Sequence, residues 1–224
     1  GTAKTNLNSA LISANHADIN QRQEYGMMPF LNEVDPLINA KLLELNPAQQ
    51  AASAITYLQS RLITKEVYVK LNIGFDPWQD MISIPYLEDQ KLIGVKYSRL
   101  SNEGSKYLNA VGSKTIAYNS SSIQNQSYAI ICEGEMDVLA ILSNSDYTAV
   151  CGIAGASNNP DPLMFEAMSK IYIAADQDEV GEQASARWAE ILGPDRCYRM
   201  TFDAKDINDW FVACKELEAL TFSD

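Results

Sequence analysis

Histidine and paired cysteines are scarce in this sequence. Its 224 residues include one histidine, His16, and four cysteines. Without a usable histidine, a Ser-His or Cys-His nucleophile system has no base. The cysteines also lack the paired spacing of a zinc site or a disulfide framework. We therefore expect buried thiols in a reducing compartment, and no zinc site within this chain.

Long apolar runs and nucleotide-binding loops are missing as well. No apolar run is long enough to span a membrane and there is no signal peptide, so the sequence predicts a cytoplasmic protein. A Gly-x-x-x-x-Gly-Lys-Ser/Thr loop is absent, which excludes a P-loop motor from this chain. The segment from Cys151 to Ser157 lacks the third glycine of a dinucleotide-binding loop. A tight strand-to-helix turn explains that segment better.

Positive charge is also in short supply, but it is unevenly distributed. The chain has 17 Lys and Arg against 29 Asp and Glu, a net charge of −12, which repels polyanions at long range. Residues 91–115, however, contain five Lys and Arg and one Glu, or 5 − 1 = +4. Tyr97 and Tyr107 lie among these charges. The segment is either a single-strand-binding surface, with phosphates on cations and bases on aromatics, or a solvated sheet face.

Carboxylates follow two apolar segments that read as strands. Residues 128–132 precede Glu133, and residues 170–175 precede Asp176 and Asp178. Side chains just past the carboxyl ends of neighbouring parallel strands converge on one crevice. Converging carboxylates are typical ligands of Mg2+, although an isolated Asp-x-Asp is more often a solvated loop or a helix cap.

The C-terminal half alternates strands and helices, which favours βαβ crossovers and a mostly parallel sheet. The apolar patterns and breaks predict these elements: helices at 136–142 and 179–192, and further strands at 147–153 and 197–202.

The acidic pattern resembles the Toprim domain, which has a Glu after one strand and Asp-x-Asp after a later one. Glu133, Asp176 and Asp178 occupy those positions. Asp137 completes the Glu-Gly-x-x-Asp form seen in primases, and Lys205-Asp206-Ile-Asn is similar to the Lys-Asp-x-Asn segment of phage primase-helicases.

The preceding half resembles the basic subdomain of primase catalytic cores. The similarity rests on residues 57–64, 71–75, 81–86 and 92–99 and on the Lys-Tyr-Leu-Asn segment at 106–109. We expect an α/β protein with three parts: a polar helical arm at 1–46, an α+β basic subdomain at 47–127 and a Toprim domain at 128–224. The polar residues 119–127 are the best linker candidate between the last two.

The resemblance implies a DNA primase, a nucleotidyltransferase that makes short RNA primers on single-stranded DNA during replication in a bacterial or phage-infected cell. It implies Mg2+ or Mn2+ as cofactor, and catalytic roles for Glu133, Asp176 and Asp178, with Glu133 a base or a metal ligand. Asp137 and Asp206 would be additional metal ligands. The resemblance also implies that five residues contact the nucleotide or the template: Lys96, Arg99, Lys106, Tyr107 and Asn109.

The expected partners are a single-stranded DNA template, ribonucleoside triphosphates, a helicase, and a zinc-binding template-recognition domain in the same chain or another; no membrane is expected. Two alternatives stay open: a Mg2+-dependent Toprim nuclease and a non-catalytic single-strand-binding relic of a primase. Because clustered carboxylates repel one another, we also expect Asp176→Ala and Asp178→Ala to leave the metal-free fold at least as stable.

Overall fold

The computed structural model describes residues 47–76, 79–89, 91–100, 104–114 and 116–221. The predicted arm at 1–46 lies outside them. The described residues form two compact units, one with residues 47–57 and 68–114 and the other with residues 58–67 and 116–221. The domain boundaries expected from sequence stay a prediction.

The first sheet is antiparallel and has the order β1-β2-β3-β4. Two of the described helices precede it in the chain. Met81, Val95 and Tyr97 are buried in its core, because alternate side chains of a strand share one face. The elements are α1 (Pro47–Ser60), α2 (Lys65–Lys70), β1 (Gly74–Asp76), β2 (Met81–Glu88), β3 (Lys91–Arg99) and β4 (Tyr107–Asn109).

The second sheet is parallel, with the order β6-β5-β7-β8. This sheet with its flanking helices confirms the predicted α/β fold class. The elements are β5 (Tyr128–Cys132), α3 (Glu135–Asn144), β6 (Val150–Gly152), β7 (Lys170–Ala174), α4 (Glu179–Leu192), β8 (Cys197–Arg199) and α5 (Ile207–Thr221). The helix predicted at 179–192 has those bounds, whereas the strands predicted at 147–153 and 197–202 are shorter than expected.

One face of the parallel sheet carries the main core. Ile131, Ile171 and Ile173 pack there with Phe165 and Trp188. The Trp188 indole donates to the Asn158 carbonyl at 2.8 Å, so its one polar atom is paired. Strands buried in this way read as near-continuous apolar runs, which is why the sequence reveals them.

Two of the four cysteines are buried in the core of the second unit. Cys132 and Cys151 are fully buried on neighbouring strands. Burial raises the pKa of both thiols, that of Cys151 to about 12. The predicted burial is confirmed for this pair, whereas Cys197 and Cys214 are only partly buried.

The expected linker at 119–127 is instead a packed segment. It forms a 3-10 helix, Ser120–Ile123, and Ile123 is buried. The Asn119 amide and the Ser122 hydroxyl both donate to the Val150 carbonyl, at 2.8 and 2.9 Å. The polar side chains therefore donate hydrogen bonds to an edge strand. The polar composition of the segment gives no sign of this packing. Among the described helices, none combines the length and apolar character that a membrane span needs.

Candidate metal and nucleotide site

The acidic residues after β5 and β7 meet at the carboxyl edge of the parallel sheet. The two strands pair in register from Tyr128 with Lys170 to Cys132 with Ala174. Glu133 and Asp176 thus leave the sheet side by side. The Asp176 backbone N–H donates to Glu133 Oε1 at 3.0 Å, so the structure brings these two predicted site residues together.

Asp178 begins α4. Its Oδ1 accepts a hydrogen bond from the Gly181 N–H at 2.9 Å. A carboxylate in this position satisfies an orphan helix donor and complements the helix dipole. The expectation that removing Asp178 leaves the fold at least as stable overlooked this cap, which an alanine would remove.

Gly181 allows α4 to begin directly against the acidic residues. A Cβ atom at this position would lie 2.1 Å from the Asp176 carbonyl oxygen and 2.8 Å from Glu133 Oε1. Both contacts are too short for any side chain. The glycine therefore sets how closely the helix approaches the two carboxylates.

Asp137 and Asp206 supply further carboxylates. Asp137 is buried on the first turn of α3, where its Oδ2 accepts from the Gly134 N–H at 3.3 Å. Asp206 Oδ1 accepts from the Asp209 N–H at 2.7 Å, just before α5. Arg61 joins this group, with nitrogens 3.6 Å from Asp206 and 2.9 Å from Asp209.

The carboxylates perturb one another. Burial, and then the neighbouring Asp176 charge, raise the pKa of Glu133. Burial followed by the Asp206 charge raises the pKa of Asp176, while Lys205 opposes that rise. The pKa of buried Asp137 is raised by desolvation and then by Asp206 and Asp176. The cluster carries more negative charge than its fixed cations offset, so a bound cation would reduce the repulsion between the carboxylates.

The donor set fits a hard cation. Within the described ranges, no group of three or more His, Cys, Asp and Glu side chains is arranged to enclose a metal ion. Mg2+ does not need such an enclosure, because it keeps several waters and binds through one or two carboxylates together with substrate phosphates. The carboxylates at this edge of the sheet supply the oxygen donors that such binding needs. The ligand roles of Asp176 and Asp178 stay a prediction.

Arg199 and Arg61 are site residues that sequence reasoning missed. The Arg199 guanidinium donates to the Ala175 and Asp176 carbonyls, both at 2.7 Å. Its only sequence signal is a charge within a short strand next to the acid-bearing strand. Arg61 reaches Asp209 across 148 residues of chain, and no local pattern predicts such a contact.

The predicted nucleotide-binding residues lie on β3 and β4 or directly beside them. Lys96 pairs with Asn109 in the sheet register. The ammonium groups of Lys96 and Lys106 lie 4.6 and 5.2 Å from the centre of the Tyr107 ring, which is 38% exposed. Lys96, Lys106 and Tyr107 are called the basic face below.

Arg99 does not join the basic face. It is three residues beyond Lys96 on the same strand, and strand alternation directs it to the opposite side of the sheet. Its Nε donates to the Ser105 carbonyl at 3.3 Å. These contacts join Lys96, Lys106 and Tyr107, and Asn109 lies opposite Lys96 in the register. Arg99 is linked to this set through its backbone N–H, which donates to the Lys106 carbonyl at 2.8 Å.

Comparison with known proteins agrees with this geometry. Residues 130–211 match the family model described as Toprim-like. The Primase homolog protein of Arabidopsis thaliana is 24% identical over 215 residues, covering 84% of this chain and 60% of that protein. The primase fragment of the bacteriophage T7 primase-helicase protein has a TM-score of 0.60 at 20% identity, covering 73% of this chain and 71% of that chain. The DnaG primase catalytic domain bound to single-stranded DNA has a TM-score of 0.59 at 20% identity, covering 77% of this chain and 70% of that chain.

In its parallel sheet and acidic edge, the segment at residues 130–211 resembles the Toprim-like family that it matches. The wider likeness confirms the predicted resemblance to the catalytic cores of Toprim primases. At 20% identity the solved structures establish the fold alone. The chain spans 60% of the length of the Primase homolog protein and 29% of a second Arabidopsis thaliana protein that it matches, a Twinkle homolog protein.

Proposed function

We propose that this chain is the catalytic core of a DNA primase, which synthesises short RNA primers on single-stranded DNA. One observation carries the proposal: Glu133 and Asp176 meet at the carboxyl edge of a Toprim-like parallel sheet, with Asp178, Asp137 and Asp206 close enough in the fold to form one acidic group.

Asp176 and Asp178 would hold Mg2+ or Mn2+ at this edge. A divalent cation supplies activation of the attacking 3′-hydroxyl and neutralisation of the α-phosphate and the leaving pyrophosphate. Glu133 is half-buried and its pKa is raised, which brings the carboxylate closer to the pH at which a general base works best. Asp137 and Asp206 would bind a second cation or orient the first.

The basic face supports binding of a polyanion in spite of the net charge of −12. The ammonium groups of Lys96 and Lys106 both lie over the partly exposed Tyr107 ring. Cations that track phosphates next to a ring on which a base stacks are the usual elements of single-strand grooves. The template or the nucleoside triphosphate would bind there.

We extend the proposal to partners. The relatives include a primase-helicase protein and a primase catalytic domain bound to single-stranded DNA. A helicase and a zinc-binding template-recognition domain, in the same chain or another, would assist this core. The cytoplasmic location expected from sequence stays a prediction.

A nuclease would use the same carboxylates to hydrolyse a phosphodiester bond, and a primase relic would bind single strands without chemistry. Incubation of end-labelled single-stranded DNA, with and without a short annealed RNA oligonucleotide, with all four ribonucleotides, one of them labelled, and Mg2+ or Mn2+ distinguishes these functions. The proposal predicts new RNA products on intact template. Shortened template with no RNA synthesis would establish the nuclease, and unchanged template that the protein binds without making or extending RNA would establish the relic.

A further inference from the structure

Arg199 ends β8 and reaches the turn at residues 175–178, which carries the two predicted metal ligands. Its Nη1 and Nη2 donate to the Ala175 and Asp176 carbonyls, both at 2.7 Å. The pairing of β7 with β8 ends at Ile173 and Arg199, so both carbonyls lie beyond the last strand pair. The guanidinium group thus donates hydrogen bonds to two carbonyls that lie beyond the backbone pairing of β8.

The Asp176 backbone is held on both sides of its Cα atom. Its N–H donates to Glu133 Oε1 at 3.0 Å, and its carbonyl accepts from Arg199. The same carbonyl packs so closely against Gly181 that no Cβ would fit there. Because both peptide groups that flank the Asp176 Cα are held, the direction of its Cα–Cβ bond is held as well, and Asp178 lies only two residues further along.

The environment of Arg199 suits a fixed cation. Its side chain is 20% exposed, and its Nε lies 3.5 Å from Oε2 of the exposed Glu182. Its positive charge also lowers the pKa of Glu133, in opposition to burial, which raises it. The guanidinium therefore stands between a solvent-facing carboxylate and the acidic edge of the sheet.

We propose that Arg199 is a positioning residue for metal binding: its two carbonyl hydrogen bonds hold residues 175–178 so that Asp176 and Asp178 bind Mg2+ or Mn2+. The inference rests on the proposed function for the role of the metal, and adds to it a residue that touches neither metal nor substrate. Lysine would keep the charge but not the planar two-pronged donor, so Arg199→Lys removes the geometry alone.

Arg196 provides a matched control at the other end of β8. Its Nε donates to the Leu192 carbonyl at 2.6 Å, and its Nη1 donates to the Phe165 and Met168 carbonyls, both at 2.8 Å. These carbonyls lie near the amino ends of β7 and β8, away from the acidic edge. Arg196 therefore donates hydrogen bonds to carbonyls, as Arg199 does, but it stabilises only the fold and not the acidic edge.

The experiment measures Mn2+ affinity by the electron paramagnetic resonance signal of free Mn2+, with wild type, Arg199→Lys, Arg199→Gln and Arg196→Lys all below their melting temperatures. Both Arg199 variants should bind Mn2+ about tenfold more weakly, as for other residues that orient metal ligands. Arg196→Lys should bind as wild type does. Metal-free melting curves in chelator separate a loss of stability from a loss of affinity, and Arg199→Lys is the variant to rely on if Arg199→Gln does not fold.

Arg199 variants that bind Mn2+ as tightly as wild type would overturn the inference, as would a wild type that binds no Mn2+. Nucleotide incorporation is scored separately. A wild type that binds Mn2+ in an Arg199-dependent way but incorporates no nucleotide would contradict the proposed function and support the positioning role.

Discussion

At the scale of single residues, the acidic side chains take part in the fold as well as in the proposed chemistry. Asp178 caps α4, and Glu133 accepts a backbone hydrogen bond from Asp176. The motif identifies these residues as site candidates, but it does not reveal the bonds that each one makes. Those bonds decide what a substitution does to stability.

Asp178→Ala should lower the metal-free free energy of unfolding by about 1 kcal/mol, because it removes the hydrogen bond to the Gly181 N–H. Asp178→Asn should stay near the wild-type value, since asparagine caps helices about as well. Both should lose nucleotide incorporation. Denaturant unfolding in chelator measures the difference, and an alanine variant as stable as the asparagine variant would show that the cap contributes nothing.

The raised pKa of Asp176 makes its effect on stability depend on pH. A carboxyl whose folded pKa lies above its unfolded value destabilises the fold once it is ionised, so stability is lost as pH rises through the folded pKa. Asp176→Asn should therefore be more stable than wild type at neutral pH without metal. The advantage should shrink as pH falls through the raised pKa and end below the ordinary value of 3.8. An advantage that is the same at every pH in urea unfolding would contradict this account.

At the scale of elements, the buried strands and α4 are predictable because their apolar patterns and helix caps are local. The bounds of α4 follow from Asp178 before it and Gly193 after it. The segment at 119–127 is not predictable in this way, since its polar residues bind the Val150 carbonyl of a distant strand.

The close contact between α4 and the acidic edge predicts the effect of a single methyl group. Gly181→Ala should cost about 1–3 kcal/mol of stability, as is typical of overpacking, and should reduce metal affinity because α4 must move from Asp176 and Glu133. Gln183→Ala is the control, because Gln183 is exposed on the same helix. Thermal melting and Mn2+ titration measure both effects; a Gly181→Ala protein that matches Gln183→Ala in both would rule out the tight contact.

The basic face predicts a salt dependence. Lys96→Ala and Lys106→Ala should weaken binding to single-stranded DNA, and each should reduce the slope of log affinity against log salt by about 0.7. Lys170→Ala is the control, since Lys170 is exposed at the amino end of β7. Fluorescence anisotropy from low to moderate salt gives the slopes, and slopes equal to that of the control would identify the basic face as a solvated surface.

At the scale of the whole molecule, the acidic site draws on distant parts of the chain. Residues near 61, 133, 176, 199 and 206 contribute to it. Sequence motifs predict the carboxylates because their spacing along the chain resembles the Toprim pattern. They do not predict Arg61 and Arg199, whose positions depend only on how the chain folds back.

Extension of a short RNA oligonucleotide annealed to a single-stranded DNA template, with Mn2+ and the next ribonucleotide, tests the central claim most directly. A pre-formed oligonucleotide avoids the cost of bringing two free nucleotides together, so this chain should extend it better than it initiates from free triphosphates. The account predicts addition of the templated nucleotide by wild type and none by Asp178→Asn, a variant that should keep the fold. Equal extension by both proteins, or none by wild type, would contradict it.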